Sequence, residues 1–322
     1  MSGHKPREIH ARLPNWFTQD TPHAARYRAT DAALAAQRLT TVCREARCPN
    51  RGTCFCEGTA TLLILGNRCT RSCRFCAIGT HDDDASADRR GSPYADPDPD
   101  EPSRVAAAVH QLGLQHVVIT SVTRDDLPDG GAGHFAETIK TIRRVTPSAS
   151  IEVLVPDFAG NRLALGTVLS ARPDVLAHNL ETVERVTPRA RSMATYARSL
   201  GLLSFAAEQT KARPDSTTAP QTRRPLVKTG LMLGLSETRD EVLGLLTDCA
   251  RAGVQVVTIG QYLQPAPGSL PVDRYVPPEE FVALKRAGER LGLLVEAGPR
   301  VRSSFAAAAL FERAIQSTAP GP

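Results

Sequence analysis

The sequence predicts an α/β fold: a partial (β/α)6 barrel, open rather than closed. Two observations carry this prediction. Apolar runs of four to seven residues alternate with longer segments of helical period from residue 102 to 295. Such alternation favours right-handed β-α units around a mostly parallel sheet. The length of 322 residues and an apolar fraction of 41% also suffice for one large core.

Taken in order, residues 1–28 are basic and mixed, with Leu13, Trp16 and Phe17 as apolar anchors. This stretch reads as a docking arm, with Trp16 pinned to the barrel surface. Residues 29–42 carry enough Ala and Leu for a short helix. The run 61–65 is the first strand and ends at Gly66. Residues 82–101 read as an exposed acidic loop, rich in Asp and Pro. Helix 102–112 is opened by Pro102 and followed by strand 117–120. Asp129-Gly130-Gly131-Ala132-Gly133 then gives a turn and the start of helix 133–145. Strand 151–155, helix 162–169 and strand 175–177 follow, the last ending at His178-Asn179. Helix 189–203 precedes a polar loop at 207–225. Strand 227–233, helix 237–252, strand 254–259, helix 278–291 and strand 293–295 complete the pattern. An alanine-rich tail closes the chain.

Eight cysteines in a chain without a signal-like start favour metal or redox chemistry over disulfides, in a cytoplasmic setting. Six of them form two triplets. Cys69, Cys73 and Cys76 lie on one tight loop just past the first strand. Three soft ligands at this spacing suit a cubane iron–sulfur cluster with one iron left open. Zinc stays open as an alternative, with His81 near enough to complete it. Cys43, Cys48 and Cys54 form the second triplet, turned by Pro49 and Gly52. Here Cys56 competes as a fourth ligand, and a zinc loop again remains open. Cys249 falls in a helix and reads as a core thiol.

The net charge of +5 is mild and dispersed, which argues against nucleic-acid binding and suits an acidic protein partner. No apolar run approaches a membrane span. No phosphate-loop or Rossmann pattern supports ATP or NAD binding. In barrel-like sheets, ligands sit where strands end. That rule nominates Ser121, Arg124, Asp125, Asp126, Asp157, His178, Asn179, Glu181, Glu184, Ser236, Glu237, Gln261 and Tyr262. Helix capping or loop hydrogen bonding explains each equally well. Lys228 inside a strand is odd unless its ammonium is paired.

C-x3-C-x2-C, with Phe75 before its last cysteine, resembles the radical S-adenosylmethionine (SAM) enzymes. Together with C-x4-C-x5-C, V-I-T-S-V-T-R-D-D-L-P-D-G-G, H-N-L-E-T-V, K-T-G-L-M-L-G-L and R-S-S-F, it makes residues 40–310 resemble the lipoyl synthases. The resemblance implies an N-terminal arm and auxiliary-cluster loop over 1–60, a radical SAM barrel over 61–297 and a C-terminal extension over 298–322. It implies two [4Fe–4S] clusters and SAM. Cys69, Cys73 and Cys76 hold the SAM-cleaving cluster. Cys43, Cys48, Cys54 and Ser303 hold the auxiliary one, with Arg302 beside the serine. Ser121, Arg124, Asp125, Asn179, Glu181 and Lys228 are the expected SAM contacts. The implied substrate is an octanoyl-lysine on a lipoyl carrier domain or the glycine-cleavage H protein. Its C6 and then C8 receive sulfur from the auxiliary cluster. Reduced ferredoxin or flavodoxin is the expected electron donor, an iron–sulfur carrier repairs the cluster, and the chain acts as a monomer. Phe55-Cys56, Ser236, Arg300 and Phe305 depart from the family's usual residues. They leave open another acyl or peptide substrate.

Overall fold

Strands buried on both faces are mostly apolar, and this sheet follows that rule with a few buried polar exceptions such as Glu152, Lys228 and Gln261. A computed structural model of the chain describes residues 13–18, 23–80, 94–211 and 224–318. Its strands are β1 (Thr40–Thr41), β2 (Thr61–Ile64), β3 (Arg68–Cys69), β4 (Gly79–Thr80) and β5 (His116–Ser121). They continue as β6 (Ser150–Leu154), β7 (Val175–Ala177), β8 (Leu226–Leu233), β9 (Val256–Gln261) and β10 (Leu294–Ala297). One sheet of eight strands runs in the order β1-β2-β5-β6-β7-β8-β9-β10. All its pairings are parallel except that of β1 with β2. The order does not close on itself, so the barrel is open. β3 and β4 make a separate parallel pair that carries Cys69.

The helices are α1 (Ala24–Ala36), α2 (Val42–Glu45), α3 (Arg51–Cys56), α4 (Glu101–Gln111), α5 (Ala132–Val145) and α6 (Arg162–Ser170). They continue as α7 (Thr187–Ala190), α8 (Tyr196–Lys211), α9 (Arg239–Arg251), α10 (Pro278–Arg290) and α11 (Ala307–Thr318). Helices α4, α5, α6, α8, α9 and α10 connect successive parallel strands, so the six expected β-α units are present. A single buried cluster runs through them, from Leu34 in α1 to Val295 in β10.

Several boundaries differ from expectation, each for a local reason. The first helix spans residues 24–36 rather than 29–42, and Tyr27 packs its ring on Phe55 of α3 at 5.3 Å. Phe17, not Trp16, is the anchor of the arm. Phe17 is buried against Tyr275 with ring centroids 5.9 Å apart, while Trp16 is 41% exposed. Helix 189–203 is two helices, broken where Arg191 turns extended and Met193 takes a φ of 59°. The Arg191 guanidinium there donates to Ser199 Oγ at 2.8 Å. α8 then runs on through Lys211, because Ala207 and Thr210 are buried. Residues 212–223 of the expected polar loop lie outside the described residues, as do 82–93 of the acidic one and His81, the candidate zinc ligand. Glu101 is not loop but opens α4, where its carboxylate accepts from Leu65 N at 2.8 Å and meets His134 Nε2 at 2.7 Å. The alanine-rich tail is a helix, α11, whose Leu310 and Ala314 cover Val175, Leu226 and Val256.

Two glycines shape the strand ends. Gly131 caps α5 with a φ of 88°, and a Cβ there would stand 2.3 Å from Leu65 Cδ1. Gly234 has a φ of 99°, and a Cβ would meet Gln261 Nε2 at 2.2 Å.

Candidate active site

The site lies at the C-terminal ends of the parallel strands, where three segments of chain converge. The first is the loop after β3. Arg71, between Cys69 and Cys73, is only 6% exposed. Its guanidinium donates to both carboxylate oxygens of Asp125, at 2.7 and 2.8 Å, and pairs with Asp157 at 2.7 Å. Asp157 is itself buried and takes a second contact from Arg198 at 3.3 Å. Burial opposes charge on Arg71, but these two carboxylates raise its pKa further. Burial likewise opposes ionisation of Asp157, and Arg71 more than offsets it, holding that carboxyl below its usual range. A buried ion pair of this kind holds only with its remaining hydrogen bonds satisfied, and here they are. Thr70 adds a backbone bond to Thr123 O at 3.0 Å, and Arg74 N donates to Ala190 O at 2.9 Å.

Burial pushes the Cys76 thiol up to about 12, with Cys73, Cys69 and Glu181 adding to the shift. Cys73 shifts the same way through burial. Cys69 therefore lies close enough to Cys73 and Cys76 to add to the cost of ionising either.

The second segment carries the other triplet. Cys43 lies in α2 and Cys54 in α3, joined by a turn in which Cys48 N donates to Cys43 O at 3.2 Å. Burial, then Cys43 and Cys48, push the Cys54 thiol up to about 12. Cys56 is turned elsewhere: its Sγ meets the His23 carbonyl at 3.4 Å.

The third segment is the stretch after β10. Asn50 Nδ2, inside the second triplet's loop, donates to Arg300 O at 2.7 Å. Thr61 Oγ1 donates to Ser304 Oγ at 2.6 Å. Asn179 Nδ2, past the end of β7, donates to Ser303 Oγ at 2.6 Å. Arg302 lies beside Cys48, whose charge favours the guanidinium against its burial. Close approach at Gly260 admits this segment, since a Cβ there would stand 2.0 Å from Val301 O.

Each expected contact has a definite place. Ser121 Oγ and Asn179 Oδ1 are buried at the strand ends without a hydrogen-bond partner. Glu181, with a φ of 68°, is pushed up by burial while Arg191 and the Asn179 amide pull the other way. Arg124 is engaged by Asp126, at 2.8 and 2.7 Å, and by the Leu65 and Ala95 carbonyls. Asp125 is engaged by Arg71. The density of charge in Arg124-Asp125-Asp126 therefore has a structural reason. Lys228 corrects its expectation: it sits near the start of β8, where Nζ meets Glu152 at 2.8 and 3.0 Å. α11 covers that pair with Leu310 and Phe311, at the end of the strands away from the cysteines. Among the other nominees, His178 is a buried residue bonded to Val155 O and Ser199 Oγ, and burial pulls its pKa down to about 4. Glu237 accepts from the backbone of Gly234 and Leu235. Gln261 bonds four backbone groups, and Tyr262 donates to Leu270 O at 2.6 Å.

Sequence reasoning missed Arg71, Asn50, Thr61, Gly230 and Thr258. Arg71 had a signal, being a cation between cysteines; the other four had none.

The residues fit iron–sulfur clusters. Each triplet is thiol-only, and burial disfavours free thiolates at Cys43, Cys54, Cys73 and Cys76, a cost that a cationic metal core would relieve. Among the described residues no three His, Cys, Asp or Glu are gathered tightly enough to hold one metal ion. A cubane takes its thiolates on a wider footprint than a single ion does.

Comparison with known proteins points the same way. The family described as Radical SAM superfamily matches residues 63–249. Lipoyl synthase of Thermus thermophilus is 46% identical over 314 residues, covering 97% of this chain and 90% of that protein. Lipoyl synthase of Pyrobaculum calidifontis is 46% identical over 310 residues, covering 95% and 98%. The crystal structure of methylornithine synthase aligns over 95% of this chain and 92% of that one, at 12% identity and a TM-score of 0.46, too distant to bear on the site.

Proposed function

The chain belongs to the lipoyl synthase family, within the radical SAM superfamily, and from that membership we propose how its residues divide the work. The reaction is lipoyl synthesis, a radical insertion of sulfur that uses SAM and iron–sulfur chemistry. In our reading there are two [4Fe–4S] clusters. Cys69, Cys73 and Cys76 hold one, with SAM on its open iron. Cys43, Cys48, Cys54 and Ser303 hold the other, with Arg302 alongside. Bound SAM and its cluster supply a radical able to take hydrogen from unactivated carbon, and the auxiliary cluster supplies the sulfur. The protein's part is ligation and orientation.

The observation that carries this division is the meeting of the R-S-S segment with the early triplet. Asn50, Thr61 and Asn179 bind Arg300, Ser304 and Ser303 in turn, and Arg302 lies close enough to Cys48 to feel its charge, which supports a role for this segment at the second thiol set. Arg71, bound by Asp125 and Asp157, fixes the first thiol set. Ser121 Oγ and Asn179 Oδ1 offer unpartnered polar atoms to a ligand lying between the two sets.

The substrate in this reading is an octanoyl chain on the lysine of a lipoyl carrier domain or H protein. The net charge of +5 suits an acidic carrier. Reduced ferredoxin or flavodoxin supplies electrons, an iron–sulfur carrier rebuilds the auxiliary cluster, and the enzyme acts as a cytoplasmic monomer. Among the described residues no helix is long and apolar enough to cross a membrane.

The test is mass spectrometry of an octanoyl-lysyl carrier peptide incubated anaerobically with reconstituted protein, SAM and reductant. The expected product has gained two sulfurs and lost two hydrogens, with two 5'-deoxyadenosines released. SAM cleavage with an unchanged peptide would overturn the octanoyl substrate.

A further inference from the structure

Ser303 is placed by a residue that belongs to neither cysteine set. Among the described residues its side chain has one hydrogen-bond partner, Asn179, whose Nδ2 donates to Oγ at 2.6 Å. Asn179 is itself held from both sides of its backbone. His178 N donates to Lys228 O at 3.1 Å, and Leu180 N donates to Thr229 Oγ1 at 3.2 Å. Thr229 Oγ1 in turn donates to His178 O at 2.8 Å. The amide therefore projects from a pinned stretch at the end of β7.

The space it projects into is bounded by Gly230. A Cβ on Gly230 would stand 2.8 Å from each of Asn179 Oδ1, Ser303 Oγ and Thr258 Oγ1. Three polar atoms thus crowd a spot that only glycine leaves open.

We propose that Asn179 is the positioning residue for Ser303: with Gly230 as its floor, it holds the serine oxygen at the auxiliary site before any cluster is bound. This rests on the ligand role of Ser303 stated above and changes the expected role of Asn179 from SAM contact to holder of the C-terminal segment. Ser304 and Arg300 are fastened by Thr61 and Asn50, so losing Asn179 frees Ser303 without releasing the segment on either side.

The test is hydrogen exchange on the full-length chain before and after anaerobic reconstitution, with N179A, S303A and the double variant. Before reconstitution, residues 298–306 in N179A exchange about fivefold faster than in wild type, the effect of losing one hydrogen bond. S303A gives the same increase, and the double variant adds nothing to it. After reconstitution in a Cys69→Ala, Cys73→Ala, Cys76→Ala background, only the auxiliary site carries a cluster. The paramagnetic resonance spectrum of that reduced cluster then moves in N179A toward that of S303A. Unchanged exchange in N179A, or an unmoved spectrum, overturns the proposal. If N179A does not fold, unchanged exchange in S303A overturns it. Neither readout depends on product formation, so failure of the sulfur-insertion reading shows separately.

Discussion

The loop of Cys69, Cys73 and Cys76 is held by a buried charge cluster, whereas the loop of Cys43, Cys48 and Cys54 is tied to the C-terminal segment by neutral hydrogen bonds and keeps its one ion pair among the described residues, Arg44 with Asp31, partly exposed. In the first, a buried guanidinium is clamped between two carboxylates at the ends of β5 and β6. In the second, an amide and a hydroxyl reach to the segment after β10. Buried ion pairs are costly to open, because each partner is left uncompensated. A neutral hydrogen bond contributes about 1 kcal/mol and re-forms readily. The first arrangement therefore resists opening, and the second opens more readily.

The largest expected effect tests the charged clamp. Arg71→Ala leaves the buried Asp157 carboxylate with the Ala159 amide and its longer contact to Arg198, and should cost about 3 kcal/mol in denaturant unfolding. Iron uptake by the first triplet should fall with it, while uptake by the second persists. Equal loss at both triplets would erase the contrast.

Acid should weaken the support of the first loop. His178 lies near Arg71 and Arg191 and is neutral when folded, with a pKa lowered from 6.5 to about 4. The unfolded chain then binds the extra proton between those two values, so stability falls as pH drops through that window. The loss is at most about 3 kcal/mol. His178→Asn should flatten the dependence, as read by unfolding midpoints from pH 7 to 4.

A smaller effect is expected at the neutral staple. Asn50→Ala should cost about 1 kcal/mol and loosen hydrogen-exchange protection around Arg300, leaving the first loop unaltered. The smallest belongs to Cys56, whose thiol points to His23. Cys56→Ala should leave iron per chain unchanged; a fall in iron would return that residue to the auxiliary site.

The barrel was legible because parallel strands buried on both faces are written as short, mostly apolar runs between helical segments, as in Val117 to Thr120 and Val227 to Leu233. The two cysteine triplets were legible as candidate ligand sets because clustered cysteines have few other uses. Lys228 and Asp125 were not legible in the same way. A charge near a strand announces that it needs a partner, but Glu152 and Arg71 are supplied by other elements. Asn50 and Thr61 sit in short stretches that read as turn and strand, and their roles exist only once the C-terminal segment is docked. The α7–α8 break escaped notice for a related reason: Arg191 leaves the helix to bond Ser199 and the Leu180 carbonyl.

The separation of these partners along the chain also orders the molecule in time. Arg71 meets Asp125 after 54 further residues have been made, and Asp157 follows soon after. Asn50 waits 250 residues for the Arg300 carbonyl. A nascent chain emerging from the ribosome can therefore fasten the loop of Cys69, Cys73 and Cys76 to Asp125 and Asp157 while Asn50 still lacks its partner. Translation itself sets the charged clamp before the neutral staple.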